Sequence, residues 1–127
     1  MSAPMGLTHV EVTLFGASGE GFTMTLLVDS GATYTVVPRE LAERLGLRPE
    51  EELRFEIANG EIVTRPVGQA EVQIQGRRTW TKIVFGEPRD KKLLGVYTLE
   101  GLGLEIDPVR RLLRPVSSHS LMAQAAA

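Results

Sequence analysis

The sequence predicts a single all-β domain, with a closed barrel-like sheet and one or two short helices. Most of the chain alternates between apolar and polar residues with a period of two, which is typical of half-buried strands. Turn signals built from glycine, asparagine and proline recur at short intervals, as in small barrels and sandwiches. The alternation of strands with long helices that marks a parallel sheet is missing. A chain of 127 residues is long enough for one domain with a modest core.

The first part of the chain is predicted to form a hairpin, a further strand and a short helix. Val10, Val12 and Leu14 would share one face of the first strand. A glycine-rich turn, residues 16–21, then leads into an antiparallel second strand. Residues 38–47 predict the helix, because proline stands at its start and glycine near its end.

The remainder is predicted to consist of strands joined by tight turns, with a second helical turn or two. Asn59-Gly60 lies between two strand-like runs and is a strong hairpin signal. Two alternating runs follow, and then a polar loop at residues 86–92. Residues 93–104 combine a short buried run with a short helix, and two closing segments complete the domain.

Side-chain placements follow from the same patterns. Trp80 alternates with Lys82 and Val84 and is expected to be packed. Met24 is expected in the core. Residues 50–52, three glutamates after a proline, predict a solvated loop.

The domain bounds are expected at residues 8–116, with an N-terminal segment at residues 1–7 and a disordered tail at residues 117–127. No apolar run approaches the ~20 residues that a membrane span needs. The N-terminus lacks the pattern of a signal peptide.

Composition argues against several classes of protein. The net charge is −2 and the basic pairs are scattered, whereas nucleic-acid binding favours a continuous basic face. The absence of cysteine excludes a disulfide framework, thiolate zinc sites and a cysteine nucleophile, and it fits the cytoplasm. No histidine and carboxylate cluster has metal-ligand spacing, and no phosphate-binding glycine loop precedes a helix. We therefore expect no metal, no cofactor, no nucleic-acid partner and no membrane partner.

A carboxylate between two apolar runs is the feature that carries chemistry. Asp29 follows Leu-Leu-Val and precedes a second strand-like run at residues 34–37. Desolvating a lone carboxylate is unfavourable, so such a residue is expected either to pair with an opposite charge or to take part in chemistry. Gly31 allows close backbone approach, and Ser30 supplies a short hydroxyl that can bond to the backbone.

Residues 26–38, LLVDSGATYTVVP, resemble the active-site segment of the retropepsin-like aspartic proteases: an apolar run, Asp, Ser or Thr, Gly, Ala and a second apolar strand. A second mark of that family, an apolar-apolar-Gly triplet before a short helix, is present at Leu93-Leu94-Gly95. The asparagine-glycine hairpin lies between the two marks, where the family has a flap. The chain looks closest to the prokaryotic single-domain branch, which implies a bacterial protein.

The resemblance implies an aspartic endopeptidase that hydrolyses extended polypeptides with an activated water and no cofactor. Asp29 would be the catalytic residue. The active-site loop would include Ser30, Gly31 and Ala32. The flap would be formed by Ala58, Asn59, Gly60 and Glu61. The loop would be supported by Leu93, Leu94 and Gly95.

This chemistry requires two carboxylates, held about 3 Å apart so that they share one proton. The chain contains Asp-Ser-Gly once, and the contexts of Asp90 and Asp107 predict a loop and a turn. A symmetric homodimer would complete the dyad, with Asp29 and its mate meeting on the two-fold axis. By resemblance, Ser30 would bond across that axis to the partner's backbone, and Gly31 would lie along the substrate.

A non-catalytic module that binds peptides or proteins on the same fold is the main alternative, with Asp29 structural or vestigial. Val96 favours it, because relatives carry a polar or charged residue after the triplet. A serine hydrolase using Ser30 is disfavoured, because a nucleophile-elbow glycine and a link to His9 or His119 are missing.

Two further sequence features have competing interpretations. Asp-Ser-Gly also resembles a phosphorylation-dependent degradation signal, but such signals need exposure and these flanks are apolar. Residues 86–92 occupy the position of a substrate-bordering loop in the family. Arg89 and Lys91 there would either favour acidic or polar substrate residues or belong to a solvated turn.

Overall fold

The computed structural model describes residues 8–117, which form nine strands and two short helices. The strands are β1 (Thr8–Phe15), β2 (Gly21–Val28), β3 (Thr35–Pro38), β4 (Pro49–Glu56), β5 (Ile62–Ile74), β6 (Arg77–Gly86), β7 (Leu93–Leu94), β8 (Leu104–Asp107) and β9 (Leu112–Pro115). The helices are α1 (Arg39–Arg44) and α2 (Val96–Leu102). Residues 1–7 and 118–127 lie outside the described residues, so the predicted N-terminal segment, disordered tail and domain bounds stay predictions.

Strand pairing closes the main sheet into a barrel. The strands pair in the order β1-β2-β7-β3-β6-β5-β4, and β1 also pairs with β5. Residues 13–15 of β1 lie opposite residues 71–73 of β5, so the ring of strands returns to its starting point. β4 pairs with β5 outside this ring, and β8 and β9 form a separate hairpin. The prediction of an all-β, barrel-like domain with one or two short helices is confirmed.

The period-two alternation of the strands builds the core. Val12 and Leu14 are 1% and 0% exposed, on the predicted inner face of β1, and Met24 packs against the core as predicted. Leu41 and Leu45 from the α1 segment are also buried in it. Burying each such side chain contributes about 1.5–3 kcal/mol.

Two predicted placements are wrong. Trp80 is 66% exposed, because it shares the outer face of β6 with Arg78 and Lys82, whose charged ends need water. Residues 50–52 are exposed as expected, but they belong to β4 and not to a loop. Their backbone pairing with β5 outweighs the low strand propensity of glutamate.

Two parallel pairings position the segment around Asp29. β2 pairs in parallel with β7, and β3 pairs in parallel with β6. The short strand β7 places Leu93 opposite Leu27 on one side and opposite Val36 on the other. β7 is therefore inserted between the two strands that flank residues 29–34.

Candidate active site

The active-site loop, residues 29–34, joins the end of β2 to the start of β3 and passes over the end of β7. The Asp29 N–H donates to the Leu94 carbonyl at 3.1 Å, and the Val96 N–H donates to the Ala32 carbonyl at 2.9 Å. Backbone hydrogen bonds to β7 and α2 thus hold the loop on both sides of its turn. Val96 contributes through its N–H, so its apolar side chain does not prevent this anchoring.

The Asp29 carboxylate is partly exposed and is held by its own loop. Its Oδ1 accepts a hydrogen bond from the Gly31 N–H at 2.8 Å, and the Ala32 N–H donates to the Asp29 carbonyl at 3.1 Å. A Cβ at position 31 would lie 3.3 Å from Oδ1, so a larger residue there would crowd the carboxylate. Within residues 8–117, no cationic side chain pairs with Asp29.

The other two aspartates serve the structure. The Arg65 guanidinium binds Asp90 through two hydrogen bonds of 2.6 and 3.0 Å, and this contact lowers the pKa of Asp90 while burial opposes the shift. Asp107 accepts hydrogen bonds from the N–H groups of Arg110 and Val109 in the β8–β9 turn. Those bonds lower the pKa of Asp107. Neither carboxylate is left free for chemistry.

A buried hydroxyl network lies beneath the loop. The Gly95 N–H donates to Thr35 Oγ1 at 3.1 Å, and the Thr35 and Thr98 hydroxyls are 2.6 Å apart. The Thr98 and Thr81 hydroxyls are 2.8 Å apart, and all three threonines are at most 2% exposed. This threonine network joins β3, β6 and α2. Sequence reasoning missed it, because single threonines on three separate elements form no local pattern.

Gly95 allows α2 to approach the loop closely. A Cβ at this position would lie 2.5 Å from the Thr33 carbonyl oxygen and 2.6 Å from the Tyr34 carbonyl carbon. Those atoms belong to the backbone and cannot move aside cheaply. Leu93 and Leu94, the other predicted support residues, are buried in the sheet at 8% and 0% exposure.

The predicted asparagine-glycine hairpin is present as β4 and β5, and its tip is residues 58–61. The Ile57 N–H donates to the Glu61 carbonyl at 2.9 Å, and Asn59 Oδ1 accepts from the Glu61 N–H at 2.8 Å. Gly60 has a φ of 86°, a left-handed conformation that favours glycine. The tip is an ordered turn.

A groove of about 960 Å³ lies between the active-site loop and this hairpin. A third wall is the rim loop, residues 87–92. The lining includes predicted site residues from all three segments: Asp29, Gly31, Ala58, Asn59, Arg89 and Lys91. Ser30, Gly60 and Glu61 are not part of the lining. The structure therefore brings together the loop, hairpin and rim loop that the sequence singled out.

Aromatic contacts connect the hairpin to the loop. The rings of Tyr34 and Phe55 meet edge to face with centroids 6.4 Å apart. The rings of Tyr34 and Tyr97 do the same at 5.6 Å. Such pairs stabilise by about 0.5–1.5 kcal/mol beyond area burial. Tyr34 thus links β4, the active-site loop and α2, a contact that no local sequence signal reveals.

The described part of the chain does not form a serine-nucleophile site, a metal site or a membrane-spanning helix. The exposed Ser30 hydroxyl has no hydrogen-bond partner, histidine included, within residues 8–117. Among these same residues, no cluster of three or more His, Cys, Asp or Glu side chains could hold a metal ion. Neither described helix has the length and hydropathy needed to cross a membrane.

Comparison with known proteins identifies the family. Residues 17–101, more than half of the chain, match the family model described as "gag-polyprotein putative aspartyl protease". The match contains Asp29, the hairpin tip and the Leu93-Leu94-Gly95 triplet. No curated protein matches the chain. The solution structure of simian foamy virus (mac) protease is similar at 23% identity, over 73% of this chain and 92% of that chain, with a TM-score of 0.49. At that distance the likeness assigns no activity.

A closed β-barrel with an Asp-Ser-Gly loop beneath a hairpin is the arrangement expected of a retropepsin-like aspartic protease. The chain belongs to the gag-polyprotein aspartyl protease family. It is accordingly an aspartic-type endopeptidase, with polypeptides as its substrates.

Proposed function

We propose that the protein is a homodimeric endopeptidase in which Asp29 of each protomer meets its mate on a two-fold axis. One observation carries this proposal. Of the three aspartates, Asp29 lines the groove without a cationic partner in residues 8–117, whereas Asp90 and Asp107 are engaged in structural contacts. One chain therefore offers one such carboxylate, and an isologous contact supplies the second.

The paired carboxylates would perform general acid and base catalysis. Held about 3 Å apart they cannot both be ionised, so they share one proton. The ionised carboxylate takes a proton from water, whose oxygen attacks the scissile carbonyl carbon, while the protonated one donates to the carbonyl oxygen. The tetrahedral intermediate collapses when its C–N bond breaks and a proton passes to the leaving nitrogen. The two carboxylates titrate as one unit.

The loop residues suit a symmetric site. The exposed Ser30 hydroxyl is available for a hydrogen bond to the partner's backbone across the axis. Gly31 lines the groove, where it would lie along an extended substrate. The hairpin tip, residues 58–61, would act as a flap that closes over the substrate, excludes water and adds backbone hydrogen bonds.

The feature that favoured a non-catalytic binding module was the apolar Val96. Its N–H nevertheless anchors Ala32, and the threonine network holds the adjacent backbone. A rigid loop therefore needs no charged side chain at position 96. This arrangement supports the enzyme over the binding module.

Two finer assignments belong to the same proposal. We place the protein in the prokaryotic single-domain branch of the retropepsin-like proteases, and we place it in the cytoplasm of a bacterium. The absence of cysteine fits a reducing compartment. Fractionation of cells that express the native gene would test the location, and recovery outside the cytosolic fraction would contradict it.

The direct test is cleavage of an unfolded polypeptide by wild type and by Asp29→Asn at mildly acidic pH. We expect the substitution to lower the rate at least about a thousandfold, with unchanged circular dichroism and unchanged dimer mass in sedimentation. Glu20→Gln, which removes an exposed carboxylate from the β1–β2 turn, should retain full activity. Equal cleavage by Asp29→Asn and wild type would overturn the proposal, and peptide binding without cleavage by wild type would favour the binding module.

Subunit mixing tests whether the site is shared. A mixed dimer of wild type and Asp29→Asn carries one catalytic carboxylate and should be inactive. We therefore expect the activity of a mixture to fall with the square of the fraction of wild-type chains. Activity proportional to the amount of wild-type chain alone would show that one protomer suffices. A strict monomer at all accessible concentrations would also contradict the shared dyad.

A further inference from the structure

The rim loop, residues 87–92, is fixed in place by contacts of its Asp90 and Lys92 side chains. Asp90 is bound to Arg65 of β5, and the two side chains are 15% and 11% exposed. Lys92 Nζ donates to three carbonyl oxygens of the loop at distances between 2.6 and 3.1 Å. The loop therefore presents its remaining cations from a defined position.

Those remaining cations, Arg89 and Lys91, line the groove that contains Asp29. Lys91 has no hydrogen bond or ion pair within residues 8–117. Arg89 pairs with Glu61 at the hairpin tip, with Nη2 and Oε2 3.2 Å apart and side chains 60% and 46% exposed. Exposed ion pairs of this kind stabilise little, so another carboxylate can replace Glu61 at small cost.

The other charges of the lining do not cancel this positive region. Arg65 and Asp90 neutralise each other, while Arg54 adds a cation and Glu56 adds an anion. Asp29 is the remaining carboxylate of the lining. Without Arg89 and Lys91 the lining carries two cations and three carboxylates, a net charge of −1, and the two rim-loop cations bring it to +1.

We propose that Arg89 and Lys91 bind an acidic side chain of the substrate, and that Glu61 occupies Arg89 while the groove is empty. This inference rests on the proposed function, because it names the substrate class of the same site. A guanidinium binds a carboxylate through two parallel N–H···O bonds. Closure of the hairpin would exclude water and strengthen that pair. The preferred substrate is an extended peptide with glutamate or aspartate close to the cleaved bond.

The test uses pairs of matched peptides, here called twins, that share one apolar cleavage site. The two members of a pair differ only by glutamate or glutamine at one position, and successive pairs move that position along both sides of the site. We expect wild type to cleave the best glutamate peptide with a kcat/KM about tenfold above its glutamine twin, mainly through KM. The double variant Arg89→Gln/Lys91→Gln should lose this preference, so that its kcat/KM values for the two peptides become equal.

Two further variants sharpen the assignment. Glu61→Gln should enlarge the preference roughly twofold to threefold, because the competing carboxylate is gone. Arg44→Gln should leave the preference unchanged, since Arg44 is an exposed arginine on α1 outside the groove lining.

Three outcomes would overturn the inference: equal cleavage of the twins by wild type, a preference for the glutamine twin, or a preference for glutamate that survives in the double variant and disappears in Arg54→Gln. Binding of the same twins to Asp29→Asn, measured by fluorescence anisotropy, separates this inference from the proposed function. A glutamate preference in binding without any cleavage by wild type would sink the proposed function alone. Cleavage of both twins without a preference would sink the inference alone.

Discussion

Below Asp29 the active-site loop rests on buried, uncharged groups, whereas above it the hairpin tip meets the rim loop through an exposed ion pair. Backbone hydrogen bonds with Leu94 and Val96 hold the active-site loop from below, and the threonine network lies beneath them. The upper contact joins Arg89 to Glu61, both largely in water. The same groove is therefore rigid on one side and readily opened on the other.

The difference matches the demands of catalysis. Buried hydrogen bonds between uncharged groups are insensitive to salt and to pH, so they hold a carboxylate in one position. An exposed ion pair is screened by salt and breaks easily. In the proposed function, a hairpin held in this way would open for a substrate and close again.

The largest expected effect on stability comes from adding a methyl group beneath the active-site loop, compared with adding one at the hairpin tip. Gly95→Ala should lower the free energy of unfolding by about 3 kcal/mol or more, because its Cβ would overlap the backbone of Thr33 and Tyr34. Gly60→Ala in the hairpin tip should lower it by about 1 kcal/mol, since no atom lies within 4 Å and the left-handed backbone alone opposes the change. Denaturant titrations at one fixed protein concentration measure both.

Equal destabilisation by these two substitutions would remove the contrast between the walls. Dissociation of the proposed dimer does not distort this comparison when both variants are titrated at the same concentration, because association contributes to apparent stability by mass action.

The next largest effect is expected in the threonine network. Thr98→Val should lower the free energy of unfolding by about 2 kcal/mol, because the Thr81 hydroxyl loses its partner inside the core. It should also lower kcat while changing KM much less, since the loop that carries Asp29 loses part of its support. Peptide cleavage kinetics and denaturant titration check the two effects.

The serine variant separates positioning from packing. Thr98→Ser keeps the hydroxyl, so we expect kcat to recover even though a buried methyl group is lost. Thr25→Val, at an exposed position of β2, should change neither quantity. Wild-type kcat in Thr98→Val would show that the threonine network does not position the loop.

A smaller, pH-dependent effect is expected at the rim loop. Asp90→Asn should lower the free energy of unfolding by about 1.5 kcal/mol, because Arg65 loses a charged partner in a mostly buried site. The pKa of Asp90 is lowered in the folded protein, first through its hydrogen bond to Arg65. Its contribution is therefore complete above the unfolded pKa of about 3.9 and is lost as the pH falls through the lower folded pKa.

Urea titrations of wild type and Asp90→Asn between neutral and strongly acidic pH measure this difference. It should be constant at neutral and mildly acidic pH and shrink below about pH 4. Glu61→Gln, which removes an exposed pair, should change stability by less than about 0.5 kcal/mol throughout. A difference for Asp90→Asn that instead shrank toward neutral pH would contradict the assigned shift.

The parts of this molecule that were predictable from sequence are those with local signals. Asn59-Gly60 predicts a hairpin because few residues other than glycine accept the required backbone conformation. Leu93-Leu94-Gly95 predicts a short buried run before a helix, and in the structure both leucines are buried and α2 begins at Val96. The alternation of β1 predicts its inner face, because Val10, Val12 and Leu14 lie on one side of the strand.

The remainder depends on which strands meet, and no short stretch of sequence records that. The β1–β5 pairing that closes the barrel and the pairings of β7 with β2 and β3 join distant segments. The threonine network exists only once those partners are in place. The outward position of Trp80 also follows from the barrel, because its strand face combines Trp80 and Val84 with Lys82, a mixed pattern that does not identify the inner face.

The distance between the two Asp29 carboxylates in a crystal of the dimer tests the shared dyad most directly. We predict that the nearest carboxylate oxygens lie about 3 Å apart across the two-fold axis, close enough to share a proton. A dimer that persists in solution with its two Asp29 side chains on opposite faces would contradict the shared site.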